Sequence, residues 1–317
     1  MGDTALLEAL RAAVAASPIT PGADLSAHTT LRVGGPAAAL VRAETPEDLA
    51  AVARVTAALH RPWLVIGKGS NLLIADEGWP GVAIVLGRGF RGVEVDGTVV
   101  LAGAAEPMPA LSQKVARHGL GGLAFGVAIP GTVGGAVRMN AGAHGGEIRD
   151  VLEWAEVVRM GAGAVTERWD APRLAFSYRH SALPDDAIVT RARLRLAGAD
   201  ADRIARDMAE MRQWRRDNQP INEPSCGSVF RNPPGDSAGR LIEAAGLKGF
   251  VVGGAQVSLR HANFITVRPG TRAADVHTII RTAQERVRQT FGIDLATEVV
   301  LAGFDLEDAT SSSEVTA

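Results

Sequence analysis

Gly126-Val127-Ala128-Ile129-Pro130-Gly131-Thr132-Val133-Gly134-Gly135, followed closely by Met139-Asn140-Ala141-Gly142-Ala143, is the stretch on which the reading of this chain turns. It is nearly uncharged and alternates turn-forming residues with small apolar ones. Such a segment makes a poor surface loop, because it offers water few side-chain partners. Glycine lacks a Cβ and admits positive φ, so backbone of this kind can lie close against a ligand. The stretch therefore suits the wall of a site for a flat apolar ring with polar edges, the alternative being a glycine-rich buried turn. Upstream, Val65-Ile66-Gly67-Lys68-Gly69-Ser70 leads a short apolar run into a second glycine loop. A Walker loop needs glycine five residues before its lysine and Ser or Thr directly after it. Here those positions hold Trp63 and Gly69, so the motif fails. No G-x-G-x-x-G lies between a strand and a helix, which argues against a Rossmann site. Gly67, Gly69, Ser70 and Asn71 can still offer amides and polar side chains to a pyrophosphate.

Glycine numbers 36 of 317 residues, above the usual share of about 7%, and it is clustered, not periodic. With 46% apolar residues the chain is long enough for two or three cores. Lys plus Arg number 33 and Asp plus Glu 35. That balance gives no support to nucleic acid as a partner. Cys226 is the only cysteine, so no internal disulfide forms. It lies two residues before Ser228 without a His and Asn pattern to activate it, and is expected to be a packing residue. The histidines show no metal-ligand spacing, and no metal is expected. Residues 1–16 lack the basic start and apolar run of a signal peptide and read as an amphipathic helix. No stretch reaches the roughly 18 apolar residues of a membrane span. A cytoplasmic protein is expected, with no membrane contact and no obligate protein partner.

Thr45-Pro46-Glu47-Asp48 opens a helix, with a cap, a proline in the first turn and two acids near the positive end of the dipole. Strands are expected at 63–66, 82–86, 153–160, 188–196, 263–267 and 295–302, and a hairpin at 92–101 turning on Asp96-Gly97. Thr190, Ala192, Leu194 and Leu196 alternate with Arg191, Arg193 and Arg195, giving that strand one dry and one wet face. Helices are expected at 107–118, at 201–216 as the domain junction, at 237–245, and in a long segment. The last carries Val276, Ile279, Ile280, Ala283, Val287 and Phe291 on one face. The Ser, Thr and acid-rich tail at 305–317 reads as disordered. The whole is mixed α and β, with no internal repeat.

Four stretches together carry a resemblance. They are Thr29-Thr30-Leu31-Arg32-Val33-Gly34-Gly35-Pro36, residues 67–72, residues 129–143, and Pro224-Ser225-Cys226-Gly227-Ser228-Val229-Phe230-Arg231-Asn232-Pro233. They resemble UDP-N-acetylenolpyruvoylglucosamine reductases (MurB) of the second type, which lacks an inserted tyrosine-bearing loop; Tyr178 is the only tyrosine here. The wider likeness is to flavoproteins of the vanillyl-alcohol-oxidase (PCMH) type. It implies an α+β chain with a two-lobed FAD-binding domain over 27–196, the lobes at about 27–86 and 87–196. A C-terminal α+β substrate-binding domain follows over 199–304, and residues 1–26 form an N-terminal helix and lead-in.

The resemblance implies tight, non-covalent FAD held by Arg32, by Gly67, Lys68, Gly69, Ser70, Asn71 and Leu72, by Ile129, Pro130, Gly131, Thr132, Gly134 and Gly135, and by Asn140, Ala141 and Gly142. NADPH is implied as co-substrate, visiting the cleft in turn with UDP-N-acetylglucosamine enolpyruvate, which is reduced to UDP-N-acetylmuramate for peptidoglycan. Reducing an enol ether needs hydride at one vinyl carbon, a proton at the other, and stabilisation of the enolate between them. By resemblance Ser228 is the proton donor, Arg179 the cation beside the enolate, and Glu298 the acid that orients the enol ether. Read without it, they are a turn serine, a solvated arginine and an acid alternating outward on a strand. Tyr178, Asn232, Lys248 and Gln256 align with the substrate side. Lys248, with Arg215 or Arg216, suits the diphosphate, and Asn218 stands where many relatives have lysine. His261 reads as structural. Two rivals stay open. One is an FAD-dependent oxidase of the same superfamily, disfavoured by the lack of histidine in 67–72. The other is a nucleotide-sensing module that has lost the chemistry.

Overall fold

The computed structural model describes residues 2–14 and 17–304; the tail expected to be disordered, 305–317, lies outside them. The chain forms two compact units, neither continuous in sequence. One takes the opening residues to Pro21, Ala39–Lys68 and Gly81–Asn218; the other takes Gly22–Ala38, Gly69–Pro80 and the chain from Gln219 on.

In the first unit, helix Gly2–Ala13 packs on helix Pro46–Ala58, burying Leu6 and Leu10 on the one and Leu49 and Val52 on the other. The second helix starts as its sequence dictates. Thr45 Oγ1 accepts from Asp48 N (3.2 Å), and Asp48 Oδ2 accepts from Thr45 N (2.9 Å), from Glu44 N (2.9 Å) and from the Ser17 hydroxyl (2.6 Å). A sheet in the order Ile19–Pro21, Ala37–Ala43, Trp79–Leu86, Trp63–Val65 lies in this unit except for its residues Ala37, Ala38, Trp79 and Pro80. A second sheet is antiparallel throughout, in the order Val165–Asp170, Leu152–Arg159, Ala187–Arg195, Val99–Gly103, Val93–Asp96. Its strand Ala187–Arg195 alternates as expected. Thr190, Ala192 and Leu194 are buried, while Arg193 and Arg195 turn outward to Glu153, each at 2.6 Å. Helix Met108–Arg117 covers this core with Met108, Leu111 and Val115. The helix expected as a junction, Ala201–Asn218, groups with this unit and packs Ile204 and Met208 on Val127.

The second unit holds the sheet Val251–Val252, Ala255–Val257, Ile265–Val267 and the long helix Ala273–Phe291. That helix buries Val276, Ile279, Ile280, Ala283 and Val287 against Leu31, Leu73, Phe230 and Leu241. Phe291, expected on the same face, is instead exposed. It is the last helical residue, before the left-handed cap Gly292, and the Arg240 guanidinium lies 5.9 Å from its ring. The final strand is also shorter than expected: only Val300–Ala302 is regular, pairing in parallel with Leu72–Ile74. The reason lies at Glu298 and Val299, whose N–H groups both donate to Val229 O (2.8 and 3.3 Å). Two successive donors on one carbonyl is bulge geometry, which ends ladder pairing. The strand at Ile265–Val267 starts later than expected because Asn263 is engaged elsewhere, as described next.

Candidate active site

The first unit positions the uncharged stretch and Arg179. Thr132 caps the short helix Val133–Arg138, its Oγ1 accepting from Gly135 N (3.4 Å). A Cβ at Gly67 would stand 2.8 Å from that Oγ1, so only glycine lets these two segments approach. Gly134 N donates to Ala104 O (2.9 Å), and Ala141 N to Ala136 O (2.8 Å). Ile129, Gly131 and Gly142 are half-buried, and Pro130 is exposed. Downstream, Ser177 and His180 close a tight turn through reciprocal 3.1 Å main-chain hydrogen bonds. Arg179 sits in that turn in the left-handed region (φ 54°), and its Nη2 donates to Gly142 O (2.8 Å). Neighbouring Tyr178 is half exposed, its ring 5.2 Å from the Arg179 guanidinium.

The second unit brings together Ser70, Asn71, Ser228 and Glu298. Gly69 has φ +60°, and a Cβ there would meet His28 O at 2.2 Å; its carbonyl accepts from Thr30 N (3.2 Å). Thr30 Oγ1 in turn donates to Ser225 O (2.7 Å). Arg32 is exposed, also left-handed (φ 58°), its N–H held by Thr29 Oγ1 (3.1 Å). Asn71 Nδ2 donates to Glu298 O (2.9 Å) and Asn71 O accepts from Val300 N (3.0 Å). Glu298 N reaches Val229 O, the residue after Ser228, so the serine and the acid are main-chain neighbours despite their separation in sequence. The Ser228 turn, with Gly227 at φ 76°, is clamped by a residue that sequence reasoning missed. Asn263 is buried; its Oδ1 accepts from Phe230 N (2.9 Å), its Nδ2 donates to Phe230 O (2.8 Å) and its carbonyl accepts from Val229 N (2.9 Å). The only sequence signal for it is one amide side chain inside the apolar run 262–265. The Ser228 hydroxyl itself makes no hydrogen bond among the described residues, which leaves its proton available.

Cys226 is buried and burial pushes its thiol up to about 12, far from a thiolate at neutral pH, as expected of a packing residue. His261 is half-buried, its Nδ1 accepts from Asn263 N (3.3 Å), and burial, reinforced by the nearby Lys248 charge, holds its pKa below the usual value. The expected substrate contacts are dispersed. Asn232 is exposed, its Oδ1 taken by Ala238 N (3.0 Å); Gln256 Nε2 donates to Gly249 O (3.2 Å); Lys248 pairs with Glu243 at 2.8 Å. The last is a surface pair of little energetic weight. On the first unit, burial lowers the pKa of Arg215, and Asn218 Nδ2 caps its own helix on Trp214 O (2.8 Å). Among the described residues no group of His, Cys, Asp and Glu could hold a metal, and no helix is long and apolar enough to cross a membrane.

The loop at 67–71 fits a dinucleotide cofactor. None of its backbone N–H groups donates a hydrogen bond among the described residues. A run of unpaired amides in a glycine and serine loop is a nest for a diphosphate. In the uncharged stretch 126–135 the apolar side chains not fully buried are Ile129 and Pro130.

Residues 36–167 match the family model described as FAD binding domain, and residues 219–302 match that of the UDP-N-acetylenolpyruvoylglucosamine reductase C-terminal domain. The chain is 41% identical to the UDP-N-acetylenolpyruvoylglucosamine reductase of Halalkalibacterium halodurans, over 94% of this chain and 98% of that one. Its fold superposes on the crystal structure of the Thermus caldophilus UDP-N-acetylenolpyruvylglucosamine reductase with a TM-score of 0.77, at 41% identity and covering 90% and 99% of the two chains. With 45% identity also to the reductase of Heliobacterium modesticaldum, over 88% of its own length and 89% of the relative's, the chain belongs to the UDP-N-acetylenolpyruvoylglucosamine reductase family.

Proposed function

We propose that the chain is an FAD-dependent UDP-N-acetylmuramate dehydrogenase. It reduces UDP-N-acetylglucosamine enolpyruvate to UDP-N-acetylmuramate with NADPH, in the bacterial cytoplasm, as a step of peptidoglycan precursor synthesis. The observation that carries the reading is the Ser228 turn, whose following backbone is clamped by Asn263 and joined through Val229 to Glu298, and whose hydroxyl makes no hydrogen bond among the described residues. Residues 67–72 would hold the FAD diphosphate, residues 129–135 and 141–142 would line the ring, and Arg32 would stand at its periphery. FAD bound there would supply the redox chemistry, accepting hydride from NADPH and donating it to the terminal vinyl carbon of the enol ether.

The remaining chemistry belongs to side chains. Hydride addition leaves an electron pair on the carbon bearing the carboxylate. Ser228 Oγ donates its proton to that carbon; a hydroxyl is a weak acid, but an enolate is a strongly basic acceptor. The Arg179 guanidinium stabilises the enolate and its carboxylate. Glu298 orients the enol ether and the donor. Tyr178, Asn232, Lys248 and Gln256, with Arg215 or Arg216, would contact the UDP-sugar, as the resemblance implies. The test is NADPH consumption by the purified yellow protein. Consumption that depends on the enol ether, with a product two hydrogens heavier, is the expected result. A yellow protein without such consumption would instead be the nucleotide-sensing module. Rapid reoxidation by oxygen coupled to turnover of an alcohol would mark the superfamily oxidase.

A further inference from the structure

Asn140 is wholly buried, and both amide hydrogens and its oxygen are engaged within the protein. Its Nδ2 donates to Glu147 Oε2 (2.6 Å) and to Ser177 O (2.9 Å), and its Oδ1 accepts from Arg149 N (3.0 Å). The orientation of the amide is dictated, since a carboxylate and a carbonyl can only accept and a backbone N–H can only donate. A flavin contact at this position, implied by the resemblance, would then fall to the main chain or to the second lone pair of Oδ1.

What the amide does hold is informative. Glu147 is the register partner of Gly142 in the small hairpin Gly142–Ala143 with Gly146–Glu147. Ser177 opens the tight turn that carries Arg179. Those two elements meet again through Arg179 Nη2 on Gly142 O (2.8 Å). The two hydrogens of one buried amide thus fix both ends of the Arg179 contact. Beyond the turn, Ser181 Oγ donates to Arg138 O (2.6 Å), and Arg138 reaches Leu183 O (3.3 Å) and Pro184 O (2.9 Å), so the exit of the turn is tied to the same segment. A left-handed arginine is unfavourable in an isolated chain and persists only where its surroundings over-determine it.

We propose that Asn140 is a positioning residue for Arg179, setting the guanidinium against Gly142 so that it meets the enolate in a fixed geometry. This rests on the role given to Arg179 above. The test is a double-mutant cycle of Asn140→Ala and Arg179→Ala in the flavin-loaded protein. It reads the single-turnover reduction of the enol ether, the reduction by NADPH, and the calorimetric affinity of the oxidised protein for the enol ether. Asn140→Ala should slow enol-ether reduction and weaken its binding at least about tenfold, leaving reduction by NADPH within about twofold. In the Arg179→Ala background the same change should cost less than about twofold, because the interaction it supports is already gone. Should Asn140→Ala fail to fold, Glu147→Ala, which removes one of the two grips, enters the same cycle with a smaller loss and the same non-additivity. Full additivity, or a silent Asn140→Ala beside a crippled Arg179→Ala, overturns the inference alone. A silent Arg179→Ala overturns the role of Arg179, and the inference with it.

Discussion

Ser228 is a serine whose surroundings are specified far more tightly than its own side chain. Asn263 holds the backbone on its C-terminal side, Gly227 turns the chain before it, and the hydroxyl keeps its hydrogen-bonding capacity for a ligand. Replacing it with alanine should therefore cost little stability. We expect Ser228→Ala to form UDP-N-acetylmuramate roughly 10²–10⁴ times more slowly, the usual contribution of a positioned proton donor, while the Tm of the holoenzyme stays within a few degrees. Product quantified under substrate saturation checks this; undiminished turnover would remove Ser228 from the mechanism. At this scale the sequence is legible only where a residue type carries its chemistry alone. The packing role of Cys226 was readable from its isolation. The roles of Asn140 and Asn263 were not, because an asparagine's function is the identity of its partners, and those of Asn263 lie 33 residues away in sequence.

Elements whose signals are local read well. The cap Thr45, the proline at the first turn and the acid Asp48 all act within one helical turn. Burial pushes the Asp48 carboxyl upward, but hydrogen bonds from Ser17, Glu44 and Thr45 outweigh it and hold the carboxyl below the usual range. A carboxyl depressed in the folded chain contributes stability above its unfolded pKa and loses it as pH falls through the folded value. Asp48→Asn should thus lower stability at neutral pH by about 1 kcal/mol, and the gap to wild type should close below about pH 4. Urea denaturation at the two pH values measures it; a gap independent of pH would show that the charge is immaterial. The strand expected at 295–302 was misjudged for the opposite reason. Its apolar alternation is real, but the bulge at Glu298 is imposed by Val229, which no local window contains.

For the whole molecule, hydrophobic periodicity and turn signals pointed to a mixed α and β chain, glycine clustering to backbone that can approach a ligand closely, and the resemblance supplied the family. The allotment of segments to units was not legible. Residues 22–38 and 69–80 join the unit formed mainly by the chain after Gln219, because Leu72–Ile74 pairs with Val300–Ala302 and Leu31, Val33 and Leu73 enter that core. An apolar pattern announces a strand but not its distant partner. The most direct measurement is anaerobic mixing of the purified yellow protein, first with NADPH and then with UDP-N-acetylglucosamine enolpyruvate, following the visible flavin band. We expect NADPH to bleach the band and the enol ether to restore it in stoichiometric amount, with UDP-N-acetylmuramate formed. A band absent even after reconstitution with FAD, or one bleached by NADPH and indifferent to the enol ether, would contradict the assignment.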